Sequence, residues 1–222
     1  MSPSISFEWN QEKLVLLPEK AVWLPEHDAL LIADLHFGKT AHFRKNGLAF
    51  PANSAAQDFH LLQALLKSHP CKRVYFLGDL FHSEENHEWD TLLDVLASFQ
   101  KTSFFLIPGN HDLVSIPKNR ISNFLCTAPS IKLGHLTLAH DPQDSNKGDY
   151  TICGHIHPGY RLQGKARQSI MLPAFYIHER LLLLPAFGAL TGLVSPHISK
   201  GSSVAIIGPT GVHWVPGRKF GT

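Results

Sequence analysis

The feature that most constrains the fold is a series of five short apolar runs, each of which ends in a polar cluster. They read ALLIAD (29–34), VYFLGD (74–79), SFFLIPGN (103–110), LTLAHD (136–141) and YTICGH (150–155). Runs of this length, rich in Leu, Ile, Phe and Val and bounded by Gly, Pro or Asp, are typical of buried β-strands. We therefore expect five strands whose carboxyl ends carry the polar residues.

Helical periodicity separates the first three runs. In residues 53–69 and again in residues 88–100, apolar side chains recur at three- and four-residue intervals, which predicts two amphipathic helices. Strand and helix in alternation predict βαβ units with parallel pairing. Beyond residue 130 short strands dominate, among them a buried strand followed by a turn in LLLLPAFGALTGL (181–193). We expect an α/β fold in which two sheets pack together with helices outside.

Bulk properties indicate a single globular domain over residues 1–222, since 44% of the residues are hydrophobic and only 17% are charged. The formal net charge of +2 is too small to argue for nucleic acid by itself. No secretory signal begins the sequence, and the most apolar run is shorter than the roughly 20 residues of a membrane span. The three cysteines form no C-x-x-C pair. These features predict a cytoplasmic protein without a membrane partner.

The polar clusters are expected to form one site, because functional groups of open α/β sheets gather at the carboxyl ends of the strands. They offer imidazole and hard oxygen ligands, which suit Mn, Fe, Zn or a similar divalent ion. A thiolate zinc site would need more sulfur than Cys153 supplies in CGHIHPGY (153–160). We interpret Cys153 as the buried end of a strand and the two following histidines as one corner of a larger centre.

Together, the motifs D-x-H (34–36), G-D-x-x-H (78–82), G-N-H-D (109–112), a lone His140 and G-H-x-H (154–157) resemble the calcineurin-like metallophosphoesterase superfamily. The resemblance implies a four-layer α/β/β/α metallophosphoesterase sandwich with two packed mixed sheets. It also implies two divalent metal ions, for which we expect Mn, with Fe, Zn or Ni as alternatives. Two such ions share a carboxylate and activate a bridging water, whose hydroxide attacks phosphorus.

The resemblance further implies the ligand sets. One metal would be held by Asp34, His36 and His157, and the other by Asn110, His140 and His155. Asp79 would bridge the two metals.

Three other residues follow these ligands closely. His111 is expected to protonate the leaving oxygen, with Asp112 orienting its ring. The alternative for His111 is a hydrogen bond that supports a ligand. For His82 two interpretations stay open, a contact that supports the site from outside the ligand set or stabilisation of the loop after Asp79.

A narrower resemblance covers ADLHFGKTAHFRKNGLAFP (33–51), GDLFHS (78–83), GHIHPGY (154–160) and the run 181–193. These stretches are similar to the DNA-ligase-associated metallophosphoesterases of bacteria. That resemblance implies a role in DNA repair alongside a DNA ligase, a nuclease and a helicase, and it leaves the oligomeric state open. Within the first stretch, Lys39, Arg44 and Lys45 are expected to contact substrate phosphates, the alternative being a solvated loop.

The function predicted from these features is a dinuclear-metal-dependent phosphodiesterase. Its substrate would be nucleic acid, as for a DNA repair endonuclease, or a nucleotide. The first alternative is a phosphomonoesterase, because the shared motifs do not separate the two reactions. The second alternative is a non-catalytic scaffold of the same fold.

Overall fold

The structure is a computed structural model, and the part of the chain that it describes contains two β-sheets and two α-helices. The described residues are 3–37, 39, 53–81, 87–110, 112, 121–164, 168–197, 199–217 and 220. Among them, no helix is long and apolar enough to cross a bilayer.

The first sheet contains seven strands in sequence order: β1 (Ile5–Trp9), β2 (Glu12–Leu17), β3 (Ala21–Leu24), β4 (Ala29–Ala33), β5 (Arg73–Leu77), β6 (Ser103–Ile107) and β7 (Phe124–Cys126). Strands β1 to β4 pair antiparallel, whereas β4 to β7 pair parallel. Helix α1 (Asn53–Ser68) joins β4 to β5, and helix α2 (His87–Ala97) joins β5 to β6. The predicted helices, and the parallel pairing of the three strands that they connect, are thus confirmed.

The second sheet consists of β8 (Ser130–Leu133), β9 (Leu136–Ala139), β10 (Thr151–Cys153), β11 (Gly159–Gln163), β12 (Ser169–His178), β13 (Leu181–Leu183), β14 (Ser203–Gly208) and β15 (Gly211–Trp214). Its order is β15-β14-β12-β13-β10-β9-β8, and β11 pairs with the first half of β12. The central strands β9, β10 and β13 run parallel, while the other pairs are antiparallel. Both sheets are therefore mixed.

The side chains of β4 alternate between the two faces of the first sheet, and this alternation shows how the helices and the two sheets are layered. Leu30 and Ile32 pack with the helices on one face of the first sheet, while Leu31 and Ala33 pack between the two sheets. All five residues of β4 are consequently buried, as in a strand that is covered on both faces. The expected α/β metallophosphoesterase sandwich is confirmed in this arrangement of helices, sheet and sheet.

The outer face of the second sheet carries a smaller apolar cluster that includes Cys153, Ala174, Tyr176 and Val204. In the part of the chain that the structure describes, both α-helices pack on the first sheet, and Ile156 and Tyr160 pack against the small apolar cluster of the second.

Strand register brings the polar clusters to one edge. Ala33 is level with Leu77, and Leu77 with Ile107, so β4, β5 and β6 end side by side. In the second sheet, Ile152 is level with Leu138, so β9 and β10 also end together. The residues that follow these five strands therefore share one neighbourhood.

Candidate metal centre

Six of the seven predicted ligands lie together where the carboxyl edges of the two sheets meet. They form two triads, Asp34 with His36 and His157, and Asp79 with His140 and His155. Within each triad, one ligand atom from each residue lies within 4.8 Å of the other two. Such a spacing lets one cation contact all three atoms of a triad.

In the first triad, the Nε2 atoms of the two histidines face each other. His36 Nε2 lies 3.3 Å from His157 Nε2, and His157 Nε2 lies 3.5 Å from Asp34 Oδ1. Asp34 is fully buried. Its Oδ2 accepts a hydrogen bond from the backbone N–H of His155 at 2.9 Å.

The other oxygen of Asp34 shows what this triad is suited to hold. Oδ1 is buried and accepts no hydrogen bond from any residue that the structure describes. An ionised oxygen buried without a partner is costly, and buried charges in proteins are normally paired or bound to metal. The residues present thus fit a divalent cation, which would satisfy Oδ1 and both imidazole nitrogens at once.

In the second triad a backbone acceptor sets the tautomer of His140. His140 Nδ1 donates to the carbonyl oxygen of Leu77 at 3.0 Å, so its Nε2 faces the centre as a lone pair. That Nε2 lies 3.1 Å from His155 Nδ1 and 3.6 Å from Asp79 Oδ1. On the other side of its ring, His155 Nε2 faces Asp141 Oδ2 at 3.6 Å. Two imidazole nitrogens and a carboxylate oxygen again converge.

Asp79 belongs to the second triad and also faces the first. Its Oδ1 faces His140 of the second triad, and its Oδ2 lies 3.7 Å from His36 Nε2 of the first. One carboxylate thus presents an oxygen to each group, which is the geometry that a shared ligand of two cations requires.

Left-handed backbone at the strand ends turns these side chains into the centre. Positive φ angles occur at five of the six residues: Asp34 (54°), His36 (51°), Asp79 (46°), His155 (68°) and His157 (51°). This region costs about 1–3 kcal/mol for a residue other than glycine, and such residues cluster at functional sites. Hydrogen bonds from Asp34 N to Gly78 O (3.2 Å) and from His36 N to Asp79 O (2.8 Å) hold the two turns together.

Because two glycines near the centre have no side chain, the ligands can occupy the space beside them. A Cβ atom at Gly154 would lie 2.5 Å from Asp34 Oδ2. At Gly109 it would overlap Asp79 and lie 3.0 Å from His140 Nε2. The backbone therefore passes directly against the carboxylates, and a larger residue would displace them.

Comparison with known proteins agrees with this geometry. The family model for the calcineurin-like phosphoesterases matches residues 28–158, which is more than half of the chain. The chain belongs to the calcineurin-like phosphoesterase family. It is a metal-dependent phosphoesterase, a hydrolase of phosphoric esters.

Among solved structures, this phosphoesterase is similar to the Pseudomonas putida nuclease MPE, with 27% identity and a TM-score of 0.80 over 96% of this chain and 100% of that one. The protein of unknown function AQ665 from Aquifex aeolicus shares 18% identity with a TM-score of 0.40, over 58% of this chain and 78% of its own. None of the curated proteins compared with the chain matches it. The expected superfamily is confirmed, and the full-length likeness to a bacterial nuclease agrees with the narrower resemblance.

The remaining predicted site residues fall around the two triads or outside the described residues. Asn110, the seventh predicted ligand, is exposed and directly follows Gly109, whose backbone touches the second triad. Lys39 is half-buried; burial lowers its pKa, and the charge of Asp79 opposes that shift. The others, His82, Arg44, Lys45 and His111, lie outside the described residues.

Asp112 makes contacts that the sequence did not predict. Its Oδ1 accepts from the backbone N–H of Phe81 at 3.1 Å, and its Oδ2 accepts from that of Gly109 at 2.9 Å. Burial raises the pKa of Asp112 to about 6, although these two hydrogen bonds lower it. In the phosphoesterase, this carboxyl group therefore joins the loop after β5 to the loop after β6.

Cys153 is fully buried on the outer face of the second sheet, in the small apolar cluster. Burial raises the pKa of its thiol well above the ordinary value, and the charges of Asp34 and Asp141 add to the effect. A thiol in this state stays protonated and is inert as a ligand.

Proposed function

We propose that the phosphoesterase hydrolyses phosphodiester bonds of nucleic acid and uses two divalent ions, with Mn²⁺ as the expected metal. The observation that carries this proposal is the position of Asp79, with one oxygen facing each of two carboxylate–histidine triads. The full-length similarity to a bacterial nuclease supports nucleic acid as the substrate class.

In this proposal the two ions have separate ligands and one common ligand. Asp34, His36 and His157 hold the first ion, and Asn110, His140 and His155 hold the second. Asp79 is shared. When bound, the ions supply a water activated at neutral pH and neutralise charge on the phosphate oxygens.

The chain itself orients these ligands before any substrate arrives. The Leu77 carbonyl keeps the proton of His140 on Nδ1, and the N–H of His155 fixes the carboxylate plane of Asp34. Lys39 brings a half-buried positive charge near Asp79, and this charge would attract an incoming phosphate. His111 is proposed to give a proton to the leaving oxygen.

A cellular setting follows from the same proposal. We place the enzyme in the cytoplasm, in DNA repair alongside a DNA ligase, a nuclease and a helicase. Arg44 and Lys45 would contact phosphates that flank the bond being cleaved.

The test is a substrate panel assayed with added Mn²⁺. A chromogenic phosphodiester, the corresponding phosphomonoester, single- and double-stranded DNA and RNA are compared at equal enzyme concentration. Hydrolysis of the diester and cleavage of a nucleic acid are expected. Hydrolysis of the monoester alone would contradict the proposal and favour a phosphatase.

Two asparagine variants control the assay. Asp79→Asn removes the shared carboxylate and is expected to lose both metal and activity. Asp144→Asn makes the same chemical change at an exposed position outside the centre and is expected to behave as wild type. Equal activity of the two variants would refute the role of Asp79.

A further inference from the structure

A short segment after β13 lies against the backbone of the first metal-ligand loop. Phe187 N donates to the Ala33 carbonyl at 2.9 Å, and Gly188 N donates to the Asp34 carbonyl at 3.2 Å. On its other side, Asp34 N is bonded to the Gly78 carbonyl. Residues 187–189 thus fix one side of a residue that is held in the left-handed conformation.

Two charged side chains from other parts of the fold hold this segment. Both carboxylate oxygens of Asp58, on helix α1, accept from Ala189 N, at 3.2 and 3.3 Å. Lys20, in the turn between β2 and β3, donates from Nζ to the Phe187 carbonyl at 3.0 Å. A three-residue segment therefore has a carboxylate at one end and an ammonium group at the other.

The segment and the loop are in close contact at Gly188. A Cβ atom at Gly188 would overlap the carbonyl oxygen of Leu35 and lie 3.4 Å from that of Asp34. A side chain at position 188 would thus displace the backbone of the ligand loop.

Burying these two charged groups costs free energy. Asp58 is only 7% exposed, and burial lowers the pKa of Lys20 while the Asp58 charge opposes that shift. Replacing buried charged groups by apolar side chains of similar volume is often neutral or stabilising, so stability alone does not explain why these two charges are buried here. Both groups hold the segment that donates to the backbone carbonyls of Ala33 and Asp34.

We propose that Asp58 and Lys20 are positioning residues for the metal ligand Asp34, acting through the backbone of residues 187–189. This inference rests on the proposed function in one respect, the assignment of Asp34 as a ligand. Loss of either side chain would release the segment and let the Asp34 carboxylate move, which weakens the first metal site without removing a ligand.

The test measures Mn²⁺ affinity of metal-free protein by calorimetric titration, with melting temperature recorded in parallel. Asp58→Ala removes both acceptor oxygens, and its Mn²⁺ affinity is expected to fall roughly tenfold, the lower end of the effect of losing a residue that orients a ligand. Asp58→Asn keeps one acceptor oxygen, and its Mn²⁺ affinity is expected to lie between those of wild type and Asp58→Ala. This variant tests the role of Asp58 if the alanine variant does not fold. Lys20→Met removes the second contact and is expected to weaken binding likewise.

A matched control comes from the opposite edge of the first sheet. Glu12 is also a buried carboxylate, and it accepts from His135 N at 2.8 Å and pairs with His27 at 2.8 Å. Glu12→Gln should lower the melting temperature but leave the Mn²⁺ affinity within twofold of wild type. Wild-type affinity in the Asp58 variants, or an equal loss in Glu12→Gln, would overturn the inference.

The outcome also separates this inference from the proposed function. Wild-type protein that binds Mn²⁺ but cleaves no phosphodiester would contradict the proposed function, and the affinities would still decide the role of Asp58. Wild-type protein that binds no divalent ion would contradict both.

Discussion

Replacing Asp34 with asparagine should stabilise the metal-free protein and weaken its stabilisation by metal, because the first of the two metal sites loses a ligand. The reason is the buried oxygen Oδ1, which has no hydrogen-bond partner among the described residues. In Asp34→Asn, the amide oxygen can still accept from His155 N, and the amide nitrogen takes the place of Oδ1, 3.5 Å from His157 Nε2. The change removes a buried charge and supplies a donor.

The magnitude follows from the cost of an unsatisfied buried polar group. That cost is about 1–3 kcal/mol, and in a chain of this size 1 kcal/mol shifts the melting temperature by about 2–4 °C. Wild-type protein, by contrast, gains about 4.1 kcal/mol when Mn²⁺ is present at one thousand times its dissociation constant. The variant should therefore melt above wild type in chelator and below it in Mn²⁺.

The assay is thermal unfolding at pH 8, where an ordinary imidazole is neutral, in chelator and then in Mn²⁺. Glu12→Gln is the matched control, because it alters a buried carboxylate whose two oxygens both have partners. It should be destabilised equally in both conditions. A lower melting temperature of Asp34→Asn in chelator, or equal stabilisation of variant and wild type by Mn²⁺, would refute the reasoning.

Three further predictions concern Asp112, the three cysteines and His111. The pKa of Asp112 is raised from 3.8 to about 6, so the folded chain binds this proton more tightly than the unfolded chain. The free energy of unfolding of the metal-free protein should therefore fall by up to about 3 kcal/mol as pH rises from about 4 to about 6. Urea unfolding of Asp112→Asn should lack that decline. Cys126 is exposed, whereas Cys71 and Cys153 are buried. A thiol reagent should therefore modify one cysteine in native protein and three in urea, and rapid modification of all three in native protein would contradict this. His111→Ala should retain Mn²⁺ in a titration but lose most turnover, and unchanged turnover would remove its assignment as the general acid.

The elements that carry the site could be predicted from the sequence because each is a local pattern. Asp34 and His140 directly follow apolar runs of strand length, and the runs before them are buried as expected. The first hairpin also has a local signal, since Ile5, Phe7 and Trp9 alternate with polar residues before a two-residue turn at Asn10, which has a positive φ angle. We did not predict this hairpin, although its alternation is readable.

The contacts that fix the ligands could not be predicted in this way. Asp58 bonds to a backbone N–H 131 positions away, and Glu12 to one 123 positions away. Nothing in the neighbouring sequence distinguishes Asp58 from a carboxylate on the solvent face of an amphipathic helix. Only the packing of α1 against residues 187–189 gives that side chain a role, and such packing depends on how the two sheets meet.

The claim that the centre binds two ions is tested most directly by anomalous scattering from crystals grown with Mn²⁺. We expect two peaks, one at Asp34, His36 and His157 and the other at Asp79, His140 and His155, with the Asp79 carboxylate between them. A single peak, or peaks away from these triads, would contradict the dinuclear centre.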